Sequence, residues 1–254
     1  MIGHLARAAV VCGVAAGVTR AVYAGLRRWA PGEPERWRRT NHAGRDVHLR
    51  AGPAVAVGTA AGALLGAGDG GARVAGVLAA GVAAACGRYD DLNGDHRRGF
   101  GDHLDALRAG EVTSGAVKLF GIGAAGLVAG ALLKERPLDR VLAGVVVAGT
   151  AHLVNLVDVR PGRAVLTVLA LGAPGVARGG PLAAAAMGAA AAVAADDLEE
   201  RTMLGDMGAH ALGAALGTAI AAGNGRLGLA AHAAGIVAAA VYGDEVTRWA
   251  RSPM

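Results

Sequence analysis

Apolar residues run along this chain in long, uninterrupted stretches, separated by short polar segments. The first stretch, about Ala8–Ala24, is broken only by Arg20. Ala51–Gly68, Val74–Gly87, Leu119–Leu133, Val141–Val157, Ala164–Ala177, Gly179–Ala195, Met207–Gly225 and Leu227–Gly243 contain no Asp, Glu, Lys or Arg. A helix on the surface of a soluble protein carries a polar residue at every third or fourth position, which marks a wet face. No such stripe runs through these stretches. The pattern predicts an all-α fold: a polytopic membrane helix bundle of about nine transmembrane helices, forming a single integral membrane domain over residues 1–254. A full crossing takes about 20 residues, so the shorter runs must borrow flanking residues whose long side chains snorkel. The first stretch has the Arg7 and apolar core of a signal peptide. It lacks a clear cleavage signal and is followed by further spans, so an uncleaved first helix is expected.

Composition sharpens this picture. Hydrophobic residues make up 54% of the chain and charged residues 18%, with 42 glycines besides. Much of the apolar content is Ala, which together with Gly drives insertion weakly but lets helix backbones approach closely. The two cysteines, Cys12 and Cys86, both fall in apolar stretches and suggest neither a disulfide framework nor a metal cluster.

Charge sets an expected orientation. When the loops are assigned alternately to two sides, one side collects Arg27, Arg28, Arg36, Arg38, Arg39, Arg45 and Arg50, then Arg88, Arg97, Arg98, Arg108 and Lys118. Arg160, Arg163, Arg201, Arg248 and Arg251 fall on it too, whereas the other side holds Lys134, Arg136, Arg140, Arg178 and Arg226. The positive-inside rule makes the first side cytoplasmic, with the N-terminus outside and the C-terminus cytoplasmic. Trp29, Trp37 and Trp249 lie near those cytoplasmic boundaries, where indoles favour the interface. The net charge of +5 then reads as attraction to anionic lipid headgroups rather than to nucleic acid.

The cytoplasmic loops hold most of the acids. Asp90 and Asp91 are adjacent at the end of the third stretch, where two carboxylates become tolerable beside a cation; Mg²⁺ takes one or two carboxylates plus substrate phosphates. Asn155 and Asp158 follow the fifth stretch and share a helix face if the helix continues, before Pro161 and Gly162 break it. Asp206 enters the eighth stretch between Gly205 and Gly208, near a helix N-terminus that favours phosphate. Lys118 enters the fourth and is placed either to neutralise a phosphate or to snorkel. Each residue has a plainer reading: a solvated loop, a helix-ending turn, an N-cap aspartate. All four groups fall on one side of the membrane, which is more telling than any one of them.

Taken in order, the segments resemble the polyprenyl-phosphate N-acetylhexosamine-1-phosphate transferase family, of the phospho-N-acetylmuramoyl-pentapeptide-transferase kind, over about Thr40–Gly217. The similar pieces are Thr40-Asn41-His-Ala-Gly44-Arg45, Tyr89-Asp90-Asp91, Lys118, Asn155-Leu-Val-Asp158 and Leu204-Gly205-Asp206-Met-Gly208-Ala209. The resemblance implies a transferase of the bacterial inner (plasma) membrane, serving cell-wall (peptidoglycan) biogenesis. It would transfer a sugar-1-phosphate from a UDP-sugar to a polyprenyl phosphate such as undecaprenyl phosphate at the cytoplasmic face, using Mg²⁺ and releasing UMP. It implies catalytic roles for Asp90, Asp91 and Lys118, nucleotide contact by Asn155 and Asp158, and metal ligation by Asp206 and Asp91. The implied partners are the lipid phosphate, the nucleotide sugar and the membrane, with a homodimer compatible and no nucleic acid.

The chain departs from that family in three places: His152 stands where an Asn is usual, Pro161 where an Asp is usual, and the tail Gly243–Met254 carries no His-rich loop. A non-catalytic relative that binds a lipid-linked cell-wall intermediate or a partner protein is therefore a second reading. Transport through His152 and His232 is a third. A CDP-alcohol phosphotransferase is suggested by Asp91, Asp95, Asp102 and Asp105, but that class's Asp-Gly-x-x-Ala-Arg core is missing.

Overall fold

A computed structural model describes residues 2–29, 31–66, 69–94, 105–106 and 108–252. Asp95, Arg97, Arg98 and Asp102, considered above, lie outside the described residues. Ten α-helices account for most of the rest: α1 (Ile2–Trp29), α2 (Ala51–Gly66), α3 (Gly70–Asn93), α4 (Ser114–Leu133), α5 (Pro137–Val157), α6 (Arg163–Ala177), α7 (Pro181–Leu198), α8 (Gly205–Gly223), α9 (Arg226–Val241) and α10 (Gly243–Ala250). Each apolar stretch read from the sequence overlaps one of the first nine.

Local chemistry marks the helix starts. The Asp69 side chain accepts from the Ala72 N–H at 3.0 Å to cap α3, and Thr113 does the same for Ala116 at 3.1 Å to cap α4. Pro137 and Pro181 sit in the first turns of α5 and α7, where the missing N–H costs nothing.

Five helices (α1, α3, α4, α5 and α7) are long and apolar enough to cross a membrane, and α9 with α10 makes a sixth if that pair, bent by 81°, counts as one span. The chain is thus a multi-pass membrane protein by helix length and composition. Helices α2 and α6 have 16 and 15 residues, or roughly 24 and 22 Å at 1.5 Å per residue, shorter than a hydrocarbon core of about 30 Å. Helix α8 is long enough but carries Asp206 and His210 on a sequence rich in Ala and Gly.

Helix α8 is the axis of the bundle. It packs against α2, α3, α5, α6 and α7, and nearly every residue from Gly208 to Thr218 is buried. One core cluster joins its Ala209, Leu212 and Leu216 to Val55, Val154, Val168 and Val193. A second joins its Ala214 and Ala221 to Ala79, Val146 and Val147. Such close packing needs small residues. A Cβ on Gly208 would stand 2.9 Å from the Cα of Gly52, and one on Gly52 2.5 Å from the Leu204 carbonyl oxygen. That crossing brings α2 and α8 nearly backbone to backbone.

The polar stretch Pro31–Arg50, between the first two apolar stretches, forms regular structure. A 3₁₀ turn (Pro34–Trp37) leads into a two-stranded antiparallel hairpin, β1 (Arg38–Thr40) and β2 (Asp46–His48), with Arg39 opposite Val47. The Asn41 side chain accepts from the Ala43 and Arg45 N–H groups at 3.0 and 2.9 Å, an Asx-type turn closed by Gly44 at φ 75°. Strands of three residues leave too little alternation to be read from sequence. The hairpin is held from outside: the Thr202 hydroxyl donates to the His48 carbonyl at 2.8 Å, and the Met203 N–H bonds the same oxygen at 3.1 Å.

Candidate active site

Four helices bring polar side chains together at the end of the bundle beside the hairpin. The Lys118 ammonium, in the second turn of α4, donates to Asp90 Oδ2 and to Asp206 Oδ2, each at 2.6 Å. Asn155, in the last turn of α5, donates through Nδ2 to Asp206 Oδ1 at 3.0 Å. Both oxygens of Asp206 are therefore engaged. The side chains of Asp90, Lys118 and Asp206 are 19%, 22% and 26% exposed, so this network opens to a ligand while remaining mostly enclosed.

Asp91 points the other way from Asp90, because neighbouring residues on a helix are separated by about 100°. Its two oxygens accept from the backbone N–H groups of Asp206 and Met207 at 3.0 and 3.1 Å. Asp91 thus caps α8 from another helix, supplying the acceptor that the N-cap residue Leu204 lacks. The contact needs Gly205 at φ 62°, where a Cβ would stand 3.0 Å from Asp91 Oδ1. Arg39 of β1 donates to the Asp91 carbonyl, fixing the hairpin to the same corner. Arg88 stacks over Trp37, its guanidinium carbon 4.7 Å from the ring centroid.

Asp158 does not share the helical face of Asn155. Helix α5 stops at Val157, and Asp158 is its C-cap residue at φ −77°, ψ 51°. It lines a narrow cleft with Asn41, His42, Pro161, Asp197 and Glu200. Burial, and then the charges of Asp197, Asp206 and Asp91, push its carboxyl well above the ordinary aspartate value. Asp197, 3% exposed, accepts the Gly162 N–H at 2.7 Å. The hairpin turn closes the far side of this cleft, since Asn41 donates to Glu200 and Arg45 pairs with it at 3.1 Å.

Of the residues singled out in the sequence, the fold joins Asp90, Lys118, Asn155 and Asp206 by direct bonds, sets Asp91 behind Asp206, and puts Asp158 in the adjoining cleft. Asp197 and Arg39 were not singled out. The signal for Asp197 was present: Asp196–Asp197 closes an apolar stretch as Asp90–Asp91 does. Arg39 gave none, since it is one of many arginines in its segment. His152 lies one turn before Asn155 on α5 and is exposed, while His232 on α9 bonds, among the described residues, the Gly228 carbonyl of its own helix.

The donors that converge are oxygens: two carboxylates in direct contact with one ammonium, and three more (Asp91, Asp158, Asp197) close by. Such a set suits a hard divalent cation. Among the described residues no group of three or more His, Cys, Asp or Glu is arranged to hold a metal by itself. Compared with protein-family models and with curated proteins, the chain matches none.

Proposed function

We propose that this protein is a phosphoglycosyl transferase of the polyprenyl-phosphate N-acetylhexosamine-1-phosphate transferase kind, moving a sugar-1-phosphate from a UDP-sugar to a polyprenyl phosphate. The observation that carries the reading is the Lys118 bridge between Asp90 and Asp206, with Asn155 on the second oxygen of Asp206. Those four residues come from four helices and each belongs to one of the motifs that resemble that family.

The residues divide the work by position. Lys118 offers a cation at the carboxylate pair, where the negative oxygens of a pyrophosphate and an attacking phosphate must be held together. Asp90 and Asp206 keep that ammonium oriented and present their remaining lone pairs to the same space. Asn155 fixes the rotamer of Asp206, and Asp91 anchors the α8 N-terminus on which Asp206 rides. Asp158 lines the cleft beside them, from which it would meet the nucleotide. A Mg²⁺ bound by Asp90 and Asp206 would offset the charge of the phosphates being exchanged.

The membrane reading extends to topology. In this topology all nine apolar helices cross, with α2, α6 and α8 packed in the bundle or reaching through a thinned bilayer, and the N-terminus is outside. The carboxylate cluster and the arginine-rich loops then face the cytoplasm of a bacterial cell.

UMP release by purified protein, supplied with undecaprenyl phosphate, Mg²⁺ and a panel of UDP-sugars, tests the activity. Release that depends on both lipid and Mg²⁺ is expected, with Lys118→Met and Asp206→Asn each lowering it on the order of 100-fold or more. The second reading, a non-catalytic relative that binds a lipid-linked intermediate, is favoured by one observation: the carboxylates are already satisfied within the protein, by Lys118 and by the α8 backbone. No UMP from folded wild-type protein across the panel, together with direct binding of a lipid pyrophosphate, would decide for it.

A further inference from the structure

A second set of cations gathers on the far side of the hairpin, around Tyr23. Arg20, Tyr23 and Arg27 lie three and four residues apart on α1 and so share one face. Their guanidinium carbons stand 5.6 Å (Arg20) and 6.0 Å (Arg27) from the centroid of the Tyr23 ring. Tyr23 is 2% exposed. His48, at the end of β2, faces the same ring at 6.2 Å between centroids. Arg50 follows two residues later, immediately before α2.

These cations are not equally engaged. Arg20 is neutralised by Asp196 at 2.6 Å, and Arg201 also holds Asp196, at 3.0 Å. Arg27 and Arg50 have no ion-pair partner among the described residues. Two buried nitrogens at this corner, Nε of Arg50 and Nδ1 of His48, have no hydrogen-bond partner among the described residues. Buried polar groups are ordinarily satisfied, so unsatisfied ones call for an acceptor that the chain itself does not supply. Burial first, and then the charge of Arg50, holds the His48 imidazole below its ordinary pKa.

The corner is open on one side. Arg27 is exposed and Arg50 half-buried, giving a reachable rim and a deeper floor. Its depth in the bilayer is marked by Trp29, 77% exposed at the end of α1, since indoles settle at the headgroup level. Helix α1 lies at the edge of the bundle, with only 22% of its apolar window buried, so lipid reaches this corner directly.

The geometry points to a binding site for the phosphate of an anionic phospholipid, held by Arg27, His48 and Arg50 against the Arg20–Tyr23 face of α1. Guanidinium groups match phosphate oxygens in paired hydrogen bonds, and basic pockets between membrane helices at the inner leaflet take anionic headgroups. The site uses none of the carboxylates around Lys118 and stands whether or not the protein is a transferase. By its position it clamps α1 to the hairpin that also carries Arg39 and Asn41.

Thermal unfolding of the full chain in mixed micelles tests the site, with phosphatidylglycerol compared with phosphatidylcholine. The wild type is expected to gain a higher Tm from phosphatidylglycerol. Arg27→Gln and Arg50→Gln should each remove roughly half of that gain, and together all of it. Arg28→Gln deletes the same charge one residue away, off the Tyr23 face, and should keep the gain; Arg50→Lys should keep part of it. An undiminished gain in the double variant, or an equal loss in Arg28→Gln, overturns the proposal, the latter by reducing it to diffuse surface charge. Inorganic phosphate at the same concentration should give no comparable gain. If it matches the lipid, the phospholipid assignment falls.

Discussion

Two adjacent aspartates at a helix end look, in a sequence, like a single acidic pair. The structure splits them. Asp90 meets Lys118 on one side of α3, and Asp91 meets the α8 backbone on the other. The two should therefore fail differently when changed. Asp91→Ala removes the acceptor for two N–H groups and is expected to cost about 1–2 kcal/mol, as helix caps do; a lowered Tm and faster hydrogen exchange in the first turn of α8 would show it. Asp158 carries a different liability. Its folded pKa is raised above the unfolded value of about 3.9, so the folded protein is penalised for ionising it. That penalty is absent below the unfolded value and grows as pH rises through the raised folded one. Asp158→Asn, measured without substrate, should melt higher than wild type at about pH 8, the gap closing toward about pH 4. An equal gap at both pH values would mean that the carboxyl is not strained.

At the scale of elements, α8 decides where the site can be. Its burial on all sides explains why it looks weakly apolar for a membrane helix: it faces other helices, for which Ala and Gly suffice, and not lipid. The α2–α8 crossing depends on Gly52 and Gly208. Gly208→Leu would force the two backbones apart and is expected to cost about 1–3 kcal/mol or more by overpacking. Because α8 carries Asp206, the same change should loosen the Lys118 bridge, so thermal stability and any UMP release should fall together. A variant that kept its Tm would show that the crossing is not tight. The hairpin matters equally: it ties Arg39 to Asp91 and Asn41 to Glu200, joining the polar corner to a segment with no apolar periodicity of its own.

For the whole molecule, the proposed topology places the arginine-rich loops on one side and the Lys134–Arg140 and Asn224–Arg226 turns on the other. With Cys12 and Cys86 replaced by Ala, single cysteines at Ala43 and Glu135 should be labelled by a membrane-impermeant reagent from opposite sides of sealed vesicles. Labelling of both from one side would overturn the alternation. The chain by itself determined where the helices are, because a run of apolar residues admits no other backbone in lipid. It also marked the acids, Asn155 and Lys118 at the charged ends of those helices. Only the tertiary structure decided which of them meet. Asp90, Lys118, Asn155 and Asp206 are separated in sequence by up to 116 residues, and their contact depends on which faces of α3, α4, α5 and α8 turn inward. In helices built so largely from Ala and Gly, no stripe of large side chains announces that face. The choice falls to backbone-to-backbone fit at positions such as Gly52 and Gly208, which becomes visible only once the helices are packed.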